Sequence, residues 1–281
     1  MENLQDRFIH KFRPIYSQIA KRSPTANLAI RLMGGLIHRN VDFVREGYEE
    51  VWANYQCRLE QADTLEKWLY ISGHDDLRRC WRIDGKLEYR SFDFVEFVIL
   101  QAVDAIKTHF PRARSVTEYG CGYGRIILGI KKALPHLDCF GYELANSGVQ
   151  IANQAAQKFQ LDVKYAPLDY VNDPESAYLY PKTDLALTFY SLEQVPVDNQ
   201  IAVKNMLEHS HLGSIHLEPV SENYPWSYGG ILARLYSWQA NYLKNFDFNI
   251  RALGLSEVQM KRLTTSHNPL MYPSLYVLKK V

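Results

Sequence analysis

The chain has 281 residues, with 32 Lys or Arg against 31 Asp or Glu, so its formal charge is only +1. That balance argues against a general nucleic-acid binder, whose affinity rests on clustered cations facing phosphate. The length suits one large or two small domains, and a 47% hydrophobic content supplies a core, while 13% aromatic residues (19 Tyr, 5 Trp) either fill that core or line a pocket for a flat ligand.

In chain order, the first forty residues carry seven Lys or Arg against two Asp or Glu. Such a bias reads as a solvated helical face, or else as attraction to an anionic surface. The apolar stretch at 28–37 is interrupted by Arg31 and two glycines, which is not the pattern of a signal peptide. No run of about eighteen apolar residues is present, so no membrane span is expected. Cys57, Cys80, Cys121 and Cys139 form no CxxC pair and no zinc spacing. They read as reduced thiols of a cytoplasmic protein without a metal site. Up to residue 110 apolar residues recur at three- and four-residue spacing. Phe94, Val95, Val98, Ala102, Val103 and Ile106 mark one helical face within 92–110. Residues 1–110 are therefore read as a mostly helical region, with Arg78, Arg79 and Arg82 as a basic cluster on a helix.

Beyond Pro111 short apolar strands alternate with amphipathic helices. Strands are expected at 115–119, 138–143, 163–168, 184–190 and 214–219, and helices at 123–134, 147–159, 197–210 and 230–246. This alternation predicts right-handed crossovers and an α/β, doubly wound parallel sheet over residues 111–281. Two more strand segments, 257–263 and 275–279, have no helix between them. They are expected to pair antiparallel at the sheet edge.

The informative segment is Glu118-Tyr119-Gly120-Cys121-Gly122-Tyr123-Gly124-Arg125, set between the first strand and the first helix of that series. Glycines there let the backbone turn tightly and let a ligand approach the main chain. The first strand-to-helix turn is also the ligand site of open α/β sheets. Glu143 ends the next strand, nineteen residues after Gly124, where an acid accepts hydrogen bonds from both ribose hydroxyls of a nucleotide. Asp169 ends the third strand, placed to accept from an exocyclic adenine amine, with Tyr170 beside it to pack on the ring. A lone acid at a strand end is more often a cap. Three acids on one rim of the sheet form a pattern.

Taken together, these residues resemble a known family. Glu118-x-Gly120-x-Gly122-x-Gly124 resembles the first motif of class I S-adenosylmethionine-dependent methyltransferases, and Glu143 and Asp169 match that family's ribose- and adenine-binding acids. The segment from Asp184 through Tyr190 and Glu193 to Val195 resembles the motif beneath the cofactor, and His216-Leu-Glu218-Pro219 the fifth-strand motif. The resemblance spans about residues 92–281. It implies a Rossmann-like sheet of seven strands with the last antiparallel, an N-terminal helical lid, and S-adenosyl-L-methionine as cofactor. The implied cofactor-binding residues are Glu118, Gly120, Cys121, Gly122, Gly124, Glu143, Asp169, Tyr170 and Tyr190, with Arg90 to hold the cofactor's carboxylate. Two other readings stay open at this point. One is an NAD(P)-dependent oxidoreductase, whose loop favours G-x-G-x-x-G; the other is a binding protein of the same fold without chemistry.

Methyl transfer from a sulfonium needs alignment more than catalytic apparatus, and the acceptor's own chemistry decides whether a base is required. The sequence lacks the Asn-Pro-Pro-Tyr and Pro-Cys motifs of DNA-methylating enzymes, leaving a small-molecule or short peptide acceptor, at oxygen in preference to nitrogen. Ligands sit beyond the carboxyl ends of parallel strands. That rule selects Glu193, the aromatic loop Tyr224, Trp226 and Tyr228, and the segment around His267. His267 and His74 are the candidate bases, with Glu218 a third candidate catalytic group and His216 read as a buried structural histidine.

Overall fold

The computed structural model describes residues 32, 41–70, 79–172, 180–255 and 257–280. Three helices open the described chain: α1 (Val41–Ala53), α2 (Gln56–Gln61) and α3 (Leu65–Tyr70). An antiparallel hairpin follows, β1 (Arg79–Ile83) and β2 (Lys86–Arg90), and then α4 (Phe94–His109). The alternating series is β3 (Ser115–Tyr119), α5 (Arg125–Ala133), β4 (Asp138–Glu143), α6 (Asn146–Lys158), β5 (Val163–Pro167), β6 (Thr183–Phe189), α7 (Asn199–Glu208) and β7 (Ser210–Pro219). The chain finishes with α8 (Tyr228–Gln239), α9 (Phe246–Arg251), β8 (Glu257–Arg262) and β9 (Pro273–Lys279).

The hairpin corrects the helical reading of Arg79 and Arg82, while Arg78 lies outside the described residues. Asp84 and Gly85 both adopt positive φ, 48° and 80°, and join Ile83 to its partner Lys86. This is the two-residue turn that matches the twist of antiparallel strands. Cys80, Trp81, Arg82 and Ile83 are all buried, so no polar and apolar alternation advertised the strand. Arg82 lies on β1, not on a basic helical face.

Seven strands form one sheet in the order β5-β4-β3-β6-β7-β9-β8. β3 to β7 pair parallel, and β9 runs antiparallel to both β7 and β8. The final strand is thus antiparallel as expected, but it is not the edge. Leu275, Tyr276, Val277 and Leu278 are buried and need cover on both sides. The edge falls to β8, whose Gln259, Met260, Lys261 and Arg262 are exposed and whose charges discourage edge-to-edge pairing. The helix expected at 230–246 is two, α8 and α9, parted by Asn241 and Asn245 at φ 49° and 54°.

Helix α4 starts where Asp93 accepts the Glu96 amide at 2.9 Å, a side-chain cap for an orphan donor. Its buried face (Val98, Ile99, Ala102, Ile106) joins Ile127 and Leu128 of α5 and Val116 of β3 in a single apolar core, which also takes in Trp68 and Leu69 of α3. The helical region therefore shares the core of the sheet, and α4 is one of the sheet's covering helices. Among the described residues no helix is long and apolar enough to cross a membrane.

Candidate functional site

The loop between β3 and α5 is built by three left-handed glycines, Gly120, Gly122 and Gly124, at φ 70°, 55° and 82°. At Gly120 the need is steric as well: a Cβ there would lie 1.8 Å from Ser191 Oγ. The loop is tied to the neighbouring strand, with the Gly120 and Cys121 amides donating to the Tyr142 carbonyl at 2.7 and 2.9 Å. Beneath it opens a cavity of about 310 Å³.

Three carboxylates from consecutive strand ends border this cavity. Glu118, next to the last residue of β3, is buried, and its Oε2 has no hydrogen-bond partner among the described residues. Burial, abetted by the Glu143 charge, pushes its pKa well above the carboxylate range. Glu143 ends β4 and is also raised by burial, against the opposing pull of backbone amides. Its Oε2 accepts from the Gly122 amide at 2.7 Å and its Oε1 from Ala145 at 3.1 Å. A carboxylate has about four acceptor sites, so acceptor capacity remains on both oxygens. Asp169, just past β5, accepts from the Val171 and Asn172 amides at 3.1 and 3.0 Å and from Asn172 Nδ2 at 3.0 Å. Tyr170 also lines the cavity, its hydroxyl 2.9 Å from Ser191 Oγ. Cys121 borders the cavity as a neutral thiol, because burial raises its pKa far above the usual value.

The opposite end is aromatic. Tyr190 takes φ 56° at the end of β6, which turns its ring into the cavity. His267 lines the same space, its ring centroid 4.7 Å from that of Tyr190 and 4.8 Å from that of Phe94. Strand β8 runs in the direction of β7, since both oppose β9, so the segment after it reaches the rim as the sequence reading required. Glu193 lines this end and accepts from Gln194 Nε2 at 2.8 Å.

Several expected residues lie elsewhere. Glu218 does not border the cavity; it is buried and accepts the amides of Ser191, Leu192 and Glu193, each at 3.1 Å. Desolvation raises its pKa to about 7. It positions the 191–193 segment and touches no reacting group. Arg90 ends β2 at the surface, 3.2 Å from Glu88, and does not reach the cavity. Tyr224 is a core residue bonded to Ser237 at 3.1 Å, while Trp226 and Tyr228 are 87% and 79% exposed. That aromatic loop closes on itself, with the Arg234 guanidinium 4.1 Å from the Trp226 ring centroid. His74 lies outside the described residues. His216 is structural, held by Thr188 and Ser214 at 2.8 Å each, and burial lowers its pKa to about 3.

Sequence reasoning missed two contributors. Helix α1 supplies a whole wall of the cavity through Val41, Val44, Tyr48 and Trp52. Arg82 fixes the His267 segment: its Nε donates to the Pro269 carbonyl at 3.1 Å, Nη2 donates to the same oxygen, and Nη1 donates to Gly85. Paired backbone bonds between Arg82 and Ser266 complete the clamp. The 3-, 4-residue apolar spacing of α1 was legible, and so was the Asp-Gly turn of the hairpin; what they face was not.

No protein-family model matches the sequence, and no curated protein matches it. Solved structures do resemble it. The magnesium protoporphyrin IX methyltransferase of Synechocystis PCC 6803, with bound SAH, aligns at TM-score 0.57 and 14% identity, covering 86% of this chain and 100% of that one. The [4+2]-cyclase SpnF aligns at TM-score 0.56 and 13% identity, over 88% of this chain and 98% of that one. The plantazolicin methyltransferase BpumL, in complex with a triazolic desmethylPZN analog and SAH, gives TM-score 0.51 and 14% identity over 84% and 98%. A cyclase among them shows that this architecture serves more than one reaction. The chain has the Rossmann-like fold of the class I methyltransferases.

Proposed function

We propose that this chain is an S-adenosylmethionine-dependent methyltransferase acting on a small molecule or short peptide, at an oxygen atom. The observation that carries the reading is the set of three carboxylates, Glu118, Glu143 and Asp169, at the ends of adjacent strands around one glycine loop and one cavity. The residues fit the cofactor on their own chemistry. Glu118 Oε2 is buried without a partner among the described residues, which a donor on the ligand would satisfy. Glu143 has acceptor capacity for two ribose hydroxyls, and Asp169 Oδ2 for an adenine amine. SAH bound in two structures of this fold supports the same assignment.

When bound, the cofactor supplies an electrophilic methyl group on a sulfonium. The glycine loop lets its chain lie against backbone, and Tyr190, backed by the Phe94 ring, lines the other end. An alcohol or phenol loses its proton as it attacks, and His267 is the imidazole within the cavity placed to accept it. Glu218 holds the 191–193 segment by three amides, and Arg82 holds the His267 segment, so both walls are rigid before the acceptor enters.

The test is transfer of an isotope-labelled methyl group from S-adenosylmethionine into a fractionated metabolite extract. Label is expected in the small-molecule fraction, with His267→Gln slowing transfer by roughly 100- to 10,000-fold, the usual range for a general base. Label found only on nucleic acid, or His267→Gln at full rate, would contradict the reading.

A further inference from the structure

Helix α1 does not sit over the acceptor end of the cavity. Its Trp52 ring lies against the glycine loop, 3.1 Å from where a Gly122 Cβ would stand. A Cβ on Gly148 of α6 would lie 2.8 Å from the same ring and 2.9 Å from Glu143 Cγ. A glycine inside a helix carries an entropic cost, and here its absent side chain is the space that Trp52 fills. Tyr48 stacks on Trp52 at 5.1 Å between centroids, and Tyr123 of the loop packs on the other side at 4.9 Å. The Trp52 Nε1 is buried beside the Glu143 carboxylate and makes no hydrogen bond of standard geometry among the described residues.

Glu49 adds a polar tie between this helix and α6. Helix α6 begins after Ala145, which has no capping oxygen. Glu49 supplies the cap from a helix nearly a hundred residues away: Oε1 accepts from the Asn146 amide at 2.6 Å and Oε2 from Ser147 at 2.9 Å. Ser147 Oγ donates in turn to the Glu49 carbonyl at 2.9 Å. Arg45, one turn earlier, lies 3.9 Å from Asp169. The charge on Glu49 also faces the positive end of the α6 dipole.

We propose that α1 is a gate over the cofactor, in which Trp52 and Tyr48 contact the cofactor and Glu49 is the positioning residue that latches them shut. The inference rests on the methyltransferase reading for the identity of the ligand. Cofactor exchange then requires Glu49 to release the two α6 amides, while the acceptor enters by the His267 end with the cofactor held in place.

The experiment is stopped-flow tryptophan fluorescence of SAH binding to the full chain, its Glu49→Ala and Glu49→Gln variants, and Trp52→Phe. Loss of charged hydrogen bonds from the latch is expected to raise both the association and the dissociation rate of SAH by about tenfold in Glu49→Ala, with Glu49→Gln in between. Trp52→Phe is expected to raise the dissociation rate and leave the association rate unchanged. A Glu49 that merely stabilised α6 would lower the melting temperature and leave association alone; that outcome overturns the gate. Should Glu49→Ala not fold, Ser147→Ala, which removes one bond of the latch, must raise both rates or the proposal fails. If the parent chain binds no SAH, the methyltransferase reading falls, and this inference with it.

Discussion

Gly120 shows how much of the site is decided by single side chains. Its positive φ of 70° and the 1.8 Å approach of Ser191 Oγ to the missing Cβ are separate demands. Gly120→Ala is expected to destabilise the fold by more than about 2 kcal/mol, and adding Ser191→Gly to recover only the steric part, leaving about 1 to 2 kcal/mol of left-handed backbone strain. Urea unfolding of both variants checks this. Glu218 offers a pH-dependent counterpart. Its pKa rises from 4.5 to about 7 through burial, so between those values the folded state binds more protons than the unfolded one. Stability therefore falls as pH rises through that window, by up to about 1.4 kcal/mol per pH unit from this group. The pH profile of Glu218→Gln should lack that slope; an unchanged profile would refute the assignment. The placement of the acids and glycines around this cavity was legible because it follows from their position at or near strand ends. The roles of Arg82 and Glu49 were not, since each acts on a segment far along the chain.

At the level of elements, the sequence read best where local periodicity and tertiary demand agree. The parallel strands and their helices are close to the spans expected from apolar patterning. The β1–β2 hairpin was misread because the consecutive residues Cys80 to Ile83 of β1 are all buried, leaving Asp84-Gly85 as its one local signal. The position of β9 inside the sheet, with β8 outside, is set by burial: the apolar 275–278 run is covered and the charged 259–262 run is not. The hairpin also has a definite task. Arg82 is buried without a carboxylate partner among the described residues, bonded to the Pro269 and Gly85 carbonyls and lying 4.1 Å from the Tyr272 ring centroid. A lysine cannot reproduce that planar fork. Arg82→Lys is expected to cost about 1 to 3 kcal/mol, measured by thermal unfolding, and to shift the His267 imidazole resonances in NMR. Unmoved resonances would show that the hairpin does not set the position of His267.

Over the whole molecule, the aromatic content finds its explanation in assembly. Trp52 of α1, Tyr55 in the turn before α2 and Trp68 of α3 converge on Tyr123 of the glycine loop, with centroids 4.9, 4.2 and 5.4 Å away. The expected aromatic loop at 224–228 is surface and core instead. The helices before the sheet are thus fastened to the loop that the sequence had marked as functional, and one core runs through both. On the proposed function, the end of the cavity under α1 takes the cofactor and the end beside His267 takes the acceptor. The most direct test is calorimetric titration of the full chain with SAH and, separately, with NADH. The account predicts one-to-one SAH binding in the micromolar range, its loss in Gly122→Val, and no heat with NADH. Binding of NADH, or no binding of SAH to the folded chain, would contradict it.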